Sequence, residues 1–117
     1  MNTPNRTLFI FAHYGEAKAF INDFKLEKKG EFLFSKDSID LLLTGEGHYS
    51  VMRRLTDYLA KSTPQRILNL GLAGSLRKEI KANEIYAVRT SYSFNPEIEF
   101  KSFLKPSLTD PAHIFRI

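Results

Sequence analysis

The residues best placed to do chemistry stand in three short turns: His13-Tyr-Gly-Glu16, Gly45-Glu-Gly-His48 and Gly71-Leu-Ala-Gly-Ser75. Glu16 heads a helical pattern, where the dipole at a helix N-terminus favours a carboxylate. Two readings of that carboxylate stand side by side, a general base and a simple helix-terminal charge. Gly45, Gly47, Gly71 and Gly74 would let backbone come close to a flat or anionic ligand, and two of the turns lead into helices that offer free N–H groups. Other chemistries fit poorly. His13, His48 and His113 are too scattered for a local metal motif, and a lone His beside a glycine loop is ordinarily a hydrogen-bonded turn residue. Gly45-Glu-Gly47 lacks the third glycine and downstream acid of a dinucleotide fingerprint, and no phosphate loop occurs. Ser75 lacks the flanks of a nucleophile elbow. Neither a metal nor a cofactor is implied.

Positioning these turns requires elements on either side of them. Thr7-Leu-Phe-Ile-Phe-Ala12 is short, apolar and aromatic, as a strand buried on both faces of a parallel sheet would be. From Glu16 onward, Ala17, Phe20, Ile21 and Phe24 recur at the spacing of one helical face. Glu31-Phe-Leu-Phe34 and Ile39-Asp-Leu-Leu-Leu-Thr44 read as a hairpin turning at Lys36-Asp-Ser38. Val51, Met52, Leu55, Tyr58 and Leu59 share a second helical face, which Pro64 closes. Arg66 to Gly71 reads as a short buried strand, and Ile85-Tyr-Ala-Val88 as another. Strands alternating with helices predict an α/β domain with a central sheet, whose ligands sit beyond the carboxyl ends of the strands. All three turns fall at such ends, so one crevice could receive them. From Ser91 to Ile117 many aromatics follow no period, which predicts an irregular or strand-like tail. Its apolar end calls for cover, from a partner chain, a following segment or docking as a strand.

A length of 117 residues, 43% apolar with ten Phe, suits one modest core and hence a single domain over 1–117. The net charge of +4 is dispersed, with Lys25, Lys28 and Lys29 alternating with Glu27 and Glu31, and Arg53-Arg54 the only close arginine pair. Aromatics are not interleaved with the basic residues, so no nucleic-acid partner is expected. Without cysteine there are no disulfides or thiolate metal sites, and neither a leader nor a membrane-spanning stretch is legible. These features predict a cytoplasmic protein with no membrane partner.

Four stretches, Ile10-Phe-Ala-His-Tyr-Gly-Glu-Ala17, Leu42-Leu-Thr-Gly-Glu-Gly-His48, Ile67-Leu-Asn-Leu-Gly-Leu-Ala-Gly-Ser-Leu76 and Lys81-Ala-Asn-Glu-Ile-Tyr-Ala-Val88, together resemble the purine nucleoside phosphorylase-like superfamily in order and spacing. The similarity spans roughly residues 7–90 and is nearest in flavour to methylthioadenosine/S-adenosylhomocysteine nucleosidases and futalosine hydrolases. It implies a three-layer phosphorylase-like domain with a central mixed sheet flanked by helices, of which this chain corresponds to the N-terminal half. It implies too that Glu16 activates the water attacking a sugar anomeric carbon, where an oxocarbenium-like transition state needs a positioned nucleophile and nearby negative charge. His13, Glu46, Leu72, Ala73 and Gly74 take substrate-binding positions by the same likeness, with Leu72 to Gly74 against the base and ribose, where a bulkier residue at Gly74 would clash. The small-molecule partner would be a purine nucleoside or thio-nucleoside, and the protein a homo-oligomer.

The departures from the family pattern refine that expectation. Glu46 stands where nucleosidases place an apolar residue, and His13 where they commonly have Met, so the pocket floor is more polar. The phosphate-holding arginines of the phosphorylases are replaced by the His13–Glu16 stretch and Asn69, which turns the expected reaction from phosphorolysis toward hydrolysis. The second half of the family's chain supplies a Met-Glu pair for the ribose hydroxyls and an Asp that protonates the purine; no Met-Glu dipeptide occurs here. Two expectations stand: an N-glycosidic hydrolase using Glu16, or a non-catalytic remnant that keeps a nucleoside-binding or oligomerisation role.

Overall fold

The computed structural model describes residues 5–90 and the backbone of residues 114–116. Two compact units divide it, residues 1–72 and 73–117. The first contains strands β1 (Thr7–Phe11), β2 (Glu27–Lys28), β3 (Leu33–Lys36), β4 (Ile39–Leu43) and β5 (Arg66–Asn69), with helices α1 (Tyr14–Asp23) and α2 (His48–Leu59). The strands form one mixed sheet in the order β2-β3-β4-β1-β5. Strand β1 is parallel to both neighbours, Thr7 lying opposite Ile39 of β4 and Arg66 of β5. Strands β2, β3 and β4 run antiparallel to one another in succession. Helices and strands of this unit thus make a small α/β fold.

Alternation along β1 assigns its side chains to two faces. Phe11, with Phe9 packed alongside, joins Ala17 and Ile21 of α1 and Leu41 and Leu43 of β4 in one cluster. Leu8 and Ile10 join Leu42 and Tyr58 of α2 in the other. Strand β1 can therefore be apolar throughout because both its faces are covered. On the α1 side, Phe20 packs on Phe9 at 4.6 Å and on Phe24 at 4.5 Å between ring centroids, a tilted aromatic row continuing the cluster to the surface.

Several elements differ from the sequence expectation. Helix α1 begins at Tyr14, two residues earlier than the apolar spacing starts, with His13 as its extended N-cap. The first hairpin strand is Leu33–Lys36 rather than residues 31–34, and the turn tightens to Asp37 and Ser38, with Asp37 in the left-handed region at φ 54°. Strand β2, only two exposed residues long, carries no apolar signal and was not expected. The expected buried strand at Arg66 to Gly71 forms as β5, but every residue of it is exposed. It lies at the edge of the sheet, and the helices pack on β1 and β4 instead. Helix α2 turns only Tyr58 fully inward, leaving Met52 66% and Leu59 43% exposed at the flank of the expected apolar face.

In the second unit, β6 (Tyr86–Val88) pairs antiparallel with β7 (Ile114–Arg116), Tyr86 opposite Arg116 and Val88 opposite Ile114. The chain end thus supplies a strand, in a two-stranded sheet of its own. The rest of the expected tail, residues 91–113 and 117, lies outside the described residues. Among those described, no helix is long and apolar enough to cross a membrane.

Candidate functional site

Three parallel strands, β1, β4 and β5, release the chain at the same end of the sheet. Pairing continues briefly past the strands: Thr44 and Gly45 donate from their backbone N–H groups to Phe11 and Ala12, and Leu70 donates to Ile10. The first residues of the three turns are consequently brought side by side.

Glu16 sits in the first turn of α1, and its own backbone N–H donates to the carbonyl of His13 at 3.2 Å. Its carboxylate reaches across to the third turn, where Oε2 accepts the backbone N–H of Leu72 at 2.9 Å. Gly71 leaves room for that approach, since a Cβ there would lie 2.9 Å from the same carboxylate oxygen and would push the end of the Glu16 side chain aside. The side chain is thereby aimed along the β1–β5 side of the rim, with Oε1 making no hydrogen bond among the described residues.

His13 connects the first turn to the second. Its Nε2 donates to Oε1 of Glu46 at 2.8 Å, and both side chains are more than half exposed. Water screening makes an exposed pair of this kind worth little to stability, so its main effect is on where the two side chains point. The second turn itself is firmly held. Gly45 and Gly47 take positive φ angles of 71° and 82°, the Ser50 hydroxyl donates to the carbonyl of Thr44 at 2.7 Å, and Arg54 donates to that of Leu43 at 3.0 Å. The Arg54 guanidinium also lies over the Phe32 ring, 3.4 Å from its centre. A Cβ on Gly45 would fall 2.5 Å from the Ser50 hydroxyl, so glycine is needed there for space as well as for φ.

Of the residues singled out in the sequence, His13, Glu16, Glu46 and Leu72 are brought together by these bonds. The Leu72 side chain is 88% exposed and contributes its N–H rather than a packed wall. Ala73 and Gly74 belong to the second unit and are exposed, and open space surrounds the position of a Gly74 Cβ. The chain itself therefore does not confine Gly74. Ser50 and Arg54 escaped the sequence reading, although their i, i+4 spacing behind the glycine turn places both on one helical side. Among the described residues, no group of three or more His, Asp or Glu side chains stands together as a metal site would need.

The opposite, amino end of the sheet carries the other polar cluster. Asp40, buried on β4, accepts from Arg6 at 2.7 Å and from Ser35 at 2.6 Å through Oδ1, and from the Tyr58 hydroxyl at 2.6 Å through Oδ2. Burial, followed by donation to Asp40, raises the Tyr58 hydroxyl far above the ordinary tyrosine range. Both carboxylate oxygens are thus hydrogen-bonded within the chain, as in a structural cluster.

No family model, curated protein or solved structure matches the chain.

Proposed function

We propose that the chain is a nucleosidase-like hydrolase of three-layer phosphorylase-like architecture, acting on the N-glycosidic bond of a purine nucleoside or thio-nucleoside. The observation that supports it best is the Glu16–Leu72 hydrogen bond, which sets a carboxylate against the glycine turn and leaves Oε1 without a hydrogen bond among the described residues. In this reading a water held by Oε1 gives up its proton to Glu16 as its oxygen bonds to the anomeric carbon. The C–N bond breaks at the same time, and its electron pair leaves with the purine. Glu46 and His13 supply an acceptor and an imidazole at the rim for polar substituents of the ligand. Neither the first turn nor Asn69 offers an arginine to hold phosphate, which favours water as the nucleophile over phosphate.

A second reading is supported by exposure. The His13 and Glu46 side chains at the rim are more than half exposed, and a catalytic carboxylate is most effective where water is excluded. This favours a chain that binds a nucleoside without cleaving it. Both readings meet one experiment: incubation of the purified chain with methylthioadenosine, S-adenosylhomocysteine, inosine and futalosine, with and without phosphate. Chromatography follows free base and calorimetry follows binding. Hydrolysis requires base release without phosphate that Glu16→Gln removes. Binding without release supports the second reading, phosphate dependence overturns the choice of nucleophile, and neither binding nor release overturns both.

A further inference from the structure

The amino end of α1 forgoes the cap that its own residues could make. His13 is the N-cap, and Glu16 is the third residue of a helix that starts at Tyr14. Side chains at these two positions commonly close back on the helix, the N-cap group taking the N–H of the third residue and a Glu there taking the N–H of the N-cap. Neither does so here. Helix α1 has no side-chain cap bond; His13 reaches instead to Glu46 in the turn after β4, and Glu16 to Leu72 in the turn after β5. Strand β1 lies between β4 and β5, so the two side chains part to either side of its carboxyl end. A cap stabilises a helix and an exposed His–Glu pair adds little, so folding alone does not account for the arrangement. Departures of this kind from local preference belong to sites that need the groups elsewhere.

The His13 ring is held by one nitrogen. Its Nε2 donates to Glu46, which fixes the orientation of the imidazole, and Nδ1 has no partner among the described residues. With both nitrogens protonated, Nδ1–H is therefore a donor directed away from Glu46. His48, at the start of α2, makes no side-chain hydrogen bond among the described residues, so its ring is not aimed in this way. Resting on the hydrolysis proposed above, we infer that His13 is the proton donor to the departing purine and that Glu46 is its positioning residue. A purine leaves poorly as an anion, and imidazole is the side chain that ordinarily gives up a proton near neutral pH, where carboxylates have already lost theirs. The Nδ1–H bond breaks as an N–H bond forms on a ring nitrogen of the base, which takes the electron pair of the broken C–N bond. Glu16 meanwhile keeps the proton of the attacking water. One proton is thus given by an imidazolium and one gained by a carboxylate, and exchange of both with solvent restores the site.

Comparison of leaving groups on the whole chain tests the assignment. Methylthioadenosine and inosine need a proton on the departing base, whereas p-nitrophenyl riboside releases a stable anion without one. His13→Gln, which keeps a donor for Glu46, should slow purine release about 10²–10⁴-fold, the usual loss with a general acid, but nitrophenolate release less than about tenfold. Turnover of the nitrophenyl riboside also shows that the variant is folded. Glu16→Gln should slow both kinds of substrate alike. Glu46→Ala should slow purine release about tenfold, and His13→Gln combined with Glu46→Ala should be no slower than His13→Gln alone, because Glu46 acts through His13. Equal losses on the two kinds of substrate in His13→Gln, or no loss, overturn the assignment while hydrolysis stands. So does a wild type that cleaves only the nitrophenyl riboside. A Glu46→Ala loss that adds in full to that of His13→Gln overturns the positioning role. A wild type that cleaves none of the three overturns the hydrolysis itself, and the assignment with it.

Discussion

The two ends of the central sheet treat their charges in opposite ways. At the amino end Asp40 is buried, and its two oxygens take three donors from Arg6, Ser35 and Tyr58, which lie on three separate segments. At the carboxyl end Glu16, partly buried, and Glu46, exposed, each accept one side-chain hydrogen bond beside glycine turns. A buried charge is tolerable only when its partners are complete, and completeness leaves no capacity for a ligand. The rim charges are incomplete by the same measure, and the capacity they keep is what a binding site needs. Hydrogen-bonding capacity is therefore used up at one end of the sheet and kept at the other.

That contrast can be broken by substitution. On the proposed hydrolysis, Glu16→Gln should reduce base release about 10²–10⁴-fold, the usual loss with a general base, while the urea midpoint of unfolding stays where it was. A large fall in the midpoint would mean that Glu16 is structural and that the two ends are alike. Asp40→Ala should do the reverse, lowering stability by about 3 kcal/mol because it strands Arg6 and the Tyr58 hydroxyl, as equilibrium urea unfolding would reveal. Gly45→Ala should cost about 2 kcal/mol in the same assay, from its positive φ and its collision with Ser50, whereas Gly71→Ala moves the end of a flexible Glu side chain and should leave the midpoint nearly unchanged. The raised Tyr58 hydroxyl fixes the alkaline behaviour. Its contribution is complete below the unfolded-state value of about 10 and is lost as pH rises from there toward the higher folded-state value. Thermal unfolding of the wild type should thus weaken above about pH 10, more steeply than that of Tyr58→Phe. The smallest effect belongs to Glu46→Gln, for which an exposed pair predicts a stability change of about 1 kcal/mol or less. A change several times larger would show that the rim is as structural as the amino end.

Legibility in the sequence followed the range of the interactions. Strand β1, both helices and the β3–β4 hairpin were readable because apolar period and turn residues are local signals. Glu16 was readable too, as a carboxylate in the first turn of a helix. Its bond to Leu72 was not, since 56 residues separate the pair and only the parallel β1–β5 register brings them together. The Asp40 cluster was hidden for a similar reason. Arg6 precedes the first apolar run and Ser35 sits in a hairpin, and neither position has a pattern that marks a buried partner. The β5 expectation failed on burial rather than on conformation. A run such as Arg66-Ile-Leu-Asn69 looks the same in a central strand as at an edge, and only the strand order decides which it is.

That edge has a consequence for handling the protein. Strand β5 pairs with β1 on one side, and among the described residues it has no strand on the other. Its outer N–H and C=O groups therefore form a short template beside Ile67 and Leu68, which are 46% and 44% exposed. Such an edge invites another extended chain to add to the sheet. Arg66 carries the only charge on the strand, at its first residue, and acts as its gatekeeper. Replacing Arg66 with an uncharged residue should therefore lower colloidal stability at high concentration, as light scattering would reveal.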